Sequence, residues 1–146
     1  MSSMMAVGDT KPRPARRWRL ALTYIVCLWI ALSLRVRSFD AVRSPVLSVS
    51  LRRPILGSEA AAIQVLAEID HVSRWVPVRF ACLERSLTAV ALVARRGWCI
   101  GWSYGIASYP MRAHAWVHHN GVPIGEDIDV SAYAVVQKRE DSDRGN

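Results

Sequence analysis

The stretch CLERSLTAVALVARRG, Cys82 to Gly97, runs directly into WCIGWSYGIA, Trp98 to Ala107, and the fold turns on the change of period between them. In the first part Leu83, Leu87, Val90, Ala91 and Ala94 recur at helical spacing. Glu84 lies in the first turn, Arg95 and Arg96 in the last, and Gly97 supplies a stop. Period, charge and cap together predict a helix from about Cys82 to Arg96. From Trp98 the period becomes two. Trp98, Ile100, Trp102, Tyr104 and Ile106 alternate with Cys99, Gly101, Ser103, Gly105 and Ala107, which predicts a strand with one bulky and one small face, stopped by Pro110.

Downstream, Ala113 to His118 reads as a second strand, Asn120-Gly121 as a hairpin turn, and Val122 to about Asp127 as the returning partner. Upstream, Ser58 can cap a helix with Glu59 in its first turn. Ala62, Val65, Leu66, Ile69 and Val72 then form one apolar stripe, and Pro77 ends that helix at the latest. Helices packed on an antiparallel sheet make an α+β fold.

The N-terminal third has a different character. Residues 1–17 hold Pro12, Pro14, small residues and charge, and read as a disordered basic tail. Leu20 to Leu34 is then fifteen residues almost free of charge, with Arg16, Arg17 and Arg19 before it and Arg35 and Arg37 after. It lacks a small-x-small cleavage site, is short for a membrane span, and has arginines on both sides that give no orientation. A buried or interfacial helix is the favoured reading, with membrane contact left open. Ser44 to Pro54, bounded by prolines, reads as a connector. The expected division is thus tail 1–17, apolar helix and connector 18–54, a domain at 55–136, and a frayed charged tail at 137–146.

Charge distribution narrows the function. The formal net charge is +7, yet residues 1–53 carry ten basic residues against two acidic ones, while 54–146 carry nine against ten. A polyanion-binding domain should bear its positive charge on the folded unit, so nucleic-acid binding is disfavoured. The three cysteines, Cys27, Cys82 and Cys99, have no paired spacing. A reducing cytoplasm is therefore the expected location.

Cys82 falls in the first turn of the predicted helix, where unpaired N–H groups and the helix dipole stabilise a thiolate. Cys27 and Cys99 instead read as small buried hydrophobes. His114 opens the next strand and is the candidate base, taking the thiol proton and returning it to the leaving amine. His118 and His119 read as exposed positions near the turn. Residues 114 and 118 of one strand are roughly 13 Å apart, too far to share a metal ion, so no metal and no cofactor is expected. The residue that orients His114 depends on the turn: a two-residue turn places His114 opposite Asp127, a three-residue loop opposite Glu126. Both carboxylates stay open on this argument. Trp75 and Trp116 are candidates to wall the site, although core packing is the commoner use of each.

Several of these segments together resemble the transglutaminase-like leader peptidases of lasso-peptide biosynthesis. The similarity lies in CLERSL (Cys82 to Leu87), the Arg-Arg-Gly helix end at Arg95 to Gly97, the approach Pro110-Met111-Arg112-Ala113 to His114-Ala115-Trp116-Val117, and the closing Gly-x-Pro-x-Gly-Glu, Gly121 to Glu126. It implies a papain/transglutaminase-like fold, with a nucleophile helix on an antiparallel sheet, and a Cys82, His114, Glu126 triad. The family often has Asp where this chain has Glu126. The implied activity is a cysteine peptidase that removes the leader from a ribosomally made lasso precursor. Its implied partners are the precursor, a separate leader-binding recognition protein and a cyclase. The competing expectations are a transglutaminase-like acyl transferase and a non-enzymatic, membrane-associated adaptor with Cys82 inert.

Overall fold

A computed structural model describes residues 16–52, 55–56, 58–126 and 129–139. Four helices come first or nearly so: α1 (Arg17–Val36), α2 (Phe39–Leu51), α3 (Glu59–Ser73) and α4 (Cys82–Arg95). The short strand β1 (Ile55–Leu56) lies between α2 and α3. After α4 come β2 (Trp98–Cys99), β3 (Gly101–Ser108), β4 (Met111–His119), β5 (Val122–Pro123) and β6 (Ala134–Arg139), with a 3₁₀ turn at Val130–Ala132. The main sheet is antiparallel in the order β5-β4-β3-β6, and β1 pairs in parallel with β2.

Helix α4 sits at the centre, against α1, α2 and α3 on one side and against β4 and β3 on the other. That position explains why Leu87, Thr88, Ala89, Val90, Leu92, Val93 and Ala94 are all buried, a wider arc than one amphipathic face provides. Helix α3 begins as expected, with Ser58 Oγ accepting the Ala61 N–H at 3.1 Å. All five residues of its predicted stripe are buried.

Four expectations are corrected. The single strand from Trp98 is two: β2 pairs with β1, the chain passes Ile100, and β3 joins the main sheet. The connector at Ser44 to Pro54 is largely α2, with Pro45 inside it and exposed. Pro45 cannot donate to the carbonyl one turn back, at a cost of about 3 kcal/mol. Burial of Val42, Val46 and Leu47 in the core outweighs that cost. The tail expected to fray from 137 is ordered through the end of β6, which pairs with β3. Arg43 of α2 reaches Gln137 there and also binds Asp40. Lastly, α1 and α2 share the core cluster with α3 and α4, so the N-terminal helices belong to the domain and not to a segment before it. Of the expected N-terminal tail, residues 1–15 lie outside the described residues; Arg16 directly precedes α1, without a side-chain capping bond, and Arg17 begins it. Of the C-terminal one, 140–146 likewise lie outside.

The small face of β3 has a steric cause. In register, Gly101 lies opposite His118, Ser103 opposite Trp116 and Gly105 opposite His114. A Cβ on Gly101 would stand 2.0 Å from the His118 ring, and one on Gly105 would meet Tyr133 and Trp116 at 3.1 and 3.2 Å. The large rings of β4 therefore need glycine beneath them. His118 is 1% exposed, which corrects its expected surface position; His119 is partly buried.

Candidate active site

Cys82 is the first residue of α4 and is partly buried. The loop Phe80-Ala81 delivers the chain to it, and Glu84 accepts the Ala81 N–H at 3.0 Å, which caps the helix start. The N–H of Cys82 is among the first four of the helix, which have no intrahelical acceptor.

Beside the thiol is an open cavity of about 450 Å³. Its lining includes Cys82 from α4, His114 from β4, and Glu126 from the segment after β5. His114 Nε2 and Glu126 Oε2 form a hydrogen bond at 2.5 Å, with both side chains largely shielded from water. Among the hydrogen bonds of the described residues, none joins Cys82 to His114. With Nε2 engaged, Nδ1 is the ring nitrogen left to exchange a proton. Trp116 stacks beside the His114 ring at 5.9 Å and 17°, and Tyr133 meets it at 5.6 Å. These two rings wall the imidazole. Trp75 is exposed and does not line the cavity.

Glu126 reaches His114 by an unexpected route. The turn is the two-residue kind: His119 pairs with Val122, and Asn120 and Gly121 have positive φ, 51° and 78°. Continued pairing in that register would place Asp127 opposite His114. Pairing stops instead. Strand β5 ends at Pro123, Ile124 N–H gives one more bond to Val117 O at 3.0 Å, and Gly125, at φ 64°, turns the chain. A side chain is disfavoured at Gly125, because its positive φ strains an L residue and a Cβ there would displace Leu66 Cδ1, 2.8 Å away. The correction is therefore to the link between turn and triad: a two-residue turn and the Glu126 partnership occur together. Asp127 lies outside the described residues.

Two residues that the sequence did not single out complete the site. Arg85, one turn along α4 from Cys82, forms a two-pronged bond to Asp70 at 2.7 and 2.9 Å. It also donates to Gly125 O at 3.3 Å and approaches Glu126 Oε1 at 3.8 Å. An ion pair this exposed adds little stability, about 1 kcal/mol at most. Its geometric effect is to tie the Gly125 carbonyl to α4 and to place a positive charge near the Glu126 oxygen that His114 does not use. The i, i+3 spacing of Cys82 and Arg85 was a legible signal; Asp70, on another helix, left none.

Residues 25–138 match the family model of the Transglutaminase-like superfamily. The chain belongs to the transglutaminase-like superfamily. The match begins inside α1 and runs to β6, so it takes in the second half of α1, the other three helices and the sheet. No curated protein and no solved structure matches the chain. Catalysis in this superfamily usually rests on a cysteine, and membership supports a general peptidase or acyl-transferase type. Of the three thiols, Cys82 is the one on the cavity, while Cys27 and Cys99 are buried.

Proposed function

We propose that the protein is a cysteine peptidase that removes the leader from a ribosomally made lasso-peptide precursor, working with a separate leader-binding protein and a cyclase. The observation that carries the peptidase reading is the shared cavity of Cys82, His114 and Glu126, with the His114–Glu126 bond already made. The lasso assignment is supported by the CLERSL and Gly-x-Pro-x-Gly-Glu segments, which supply Cys82, Arg85, Gly125 and Glu126 to that same site.

In this mechanism His114 Nδ1 takes the Cys82 proton as the sulfur attacks the scissile carbonyl. The Cys82 N–H donates to the developing oxyanion. His114 then gives the proton to the leaving amine as the C–N bond breaks and a thioester forms. Water, deprotonated by His114, hydrolyses the thioester and restores the thiol. Glu126 stabilises the imidazolium that appears twice in the cycle. A cavity of this size holds a few residues around the scissile bond, so recognition of a leader has to draw on binding energy from outside it.

The test is to incubate the protein with a precursor peptide, with and without its leader-binding partner, and to follow the masses of the products. Free leader and core, formed faster with the partner and absent with Cys82→Ala, support the proposal. Intact precursor under all conditions overturns it, as does a product joined to an added amine in place of water, which would assign acyl transfer.

A further inference from the structure

Helix α1 is apolar on two opposite faces, and the domain uses one. Thr23, Cys27, Ile30 and Ala31 point into the core. On the other side Trp18, Ile25, Trp29, Leu32 and Val36 are exposed, Trp18 and Ile25 by 62% and 61%. At 3.6 residues per turn these five fall within an arc of about 60° along a helix roughly 30 Å long. A continuous apolar stripe of this kind marks a contact surface.

The charges around it indicate what it contacts. No acidic residue occurs in α1. Arg17 and Arg35 stand about 100° to one side of the stripe and Arg19 about 100° to the other, where long side chains can extend from an apolar surface into a polar layer. At the N-terminal end of the stripe, a cavity of about 290 Å³ is lined by Trp18, Arg19, Leu22, Leu92, Arg95 and Arg96, among others. Arg96 is bound to the buried Glu68 at 3.0 Å. Burial holds its guanidinium below the ordinary range, and Arg19, acting against the pull of Glu68, lowers it further. Among the described residues, three arginines, Arg19, Arg95 and Arg96, line this cavity against one bound carboxylate, that of Glu68, which leaves it positive.

We propose that α1 docks lengthwise on an anionic membrane surface, its exposed stripe entering the headgroup–acyl boundary and the Arg19, Arg95 and Arg96 cavity taking a lipid phosphate. The helix is long and apolar enough to cross a membrane by length and composition, but its other face is packed in the domain, which fits lying on the surface and not spanning. A second copy is a poorer occupant: apposing two stripes would gather the arginines of both helices with no acid on either to offset them. The proposal does not depend on the peptidase reading.

Flotation of the full-length protein with vesicles tests it. The protein should float with phosphatidylcholine vesicles containing phosphatidylglycerol at low salt, and bind at least about tenfold more weakly to phosphatidylcholine alone or at high salt. Ile25→Ser/Trp29→Ser changes only exposed side chains and should keep the native circular dichroism while losing at least about tenfold in binding. A wild-type protein that stays with the soluble fraction overturns the proposal. So does undiminished binding by the double variant, or a vesicle-free dimer that the double variant dissociates, which would give the stripe to a second copy.

Discussion

With Nε2 held by Glu126, Nδ1 is the nitrogen through which the His114 ring can trade a proton. In the proposed mechanism Glu126 would thereby set the tautomer as well as stabilise the imidazolium. Glu126→Gln keeps the shape and removes the charge, and its amide can also donate to Nε2 and trap the wrong tautomer. The expected loss in kcat is about 10²-fold to 10⁴-fold, the upper end being where the tautomer is also misplaced. Urea unfolding should be nearly unchanged. Cys82→Ala and His114→Ala set the floor, and Asp127→Asn should stay close to wild type because His114 Nε2 already has its partner. Arg85 acts through Glu126, so Arg85→Ala should lower kcat about tenfold or more with little change in KM, as positioning residues do. A severe Asp127→Asn with a mild Glu126→Gln would move the orienting role to Asp127. At this scale the position of Cys82 was legible, because helix starts leave local marks; that of His114 was legible only as part of a strand, which begins at Met111 and places His114 inside it, not at its start. The carboxylate was not, because its placement depends on pairing that stops at Pro123 and on the turn at Gly125, neither of which the hairpin register gives.

The elements decide which thiols can react. Cys82 opens onto the cavity from the first turn of α4, whereas Cys27 lies in the buried face of α1 and burial pushes its thiol from 9.0 up to about 12. Iodoacetamide at neutral pH should therefore label Cys82 well before Cys27 or Cys99 in the folded protein, as peptide mapping would report. Equal labelling of all three would remove Cys82's claim. The raised Cys27 value also has a thermodynamic consequence. The folded state holds that proton more tightly than the unfolded state, so the contribution is whole below about pH 9 and is lost as pH rises towards 12. Melting temperatures of Cys27→Ala should accordingly fall less steeply than those of the wild type between about pH 9 and 11. Helix α4, with a single clear period and marks at both ends, could be read almost to the residue, and α3 at its start, while the end of α3 at Ser73 comes before the limit set by Pro77. Helix α2 could not, since Pro45 is a strong local signal against a helix and the burial that overrides it appears only after α4 is in place.

For the whole molecule, the decisive matter is whether α1 is an attachment or a wall of the core. Read from composition, Leu20 to Leu34 stood apart from a domain beginning at 55, because a helix apolar on both faces shows no amphipathic pattern to tie it to a particular neighbour. Packing places it against α3 and α4, with Cys27, Ile30 and Ala31 buried and Leu20, Tyr24, Val26, Leu28 and Leu34 packed around them. A fully buried large apolar side chain contributes roughly 1.5–3 kcal/mol, and a cluster of this size approaches the 5–15 kcal/mol that an entire domain has to spare. Removing residues 1–36 should therefore abolish cooperative urea unfolding and near-ultraviolet circular dichroism. Removing only residues 1–15 should leave both intact, since that cut stops short of Arg16 and the first turn of α1. The contrast separates the two readings. If the protein lacking residues 1–36 still unfolded cooperatively and kept its signal, α1 would be an appendage, and the folded unit would begin at α2 or later. If it collapses as expected, the same helix has two duties: its inner face completes the core behind the Cys82 helix, and its outer stripe is presented on a scaffold too rigid to let it leave the domain.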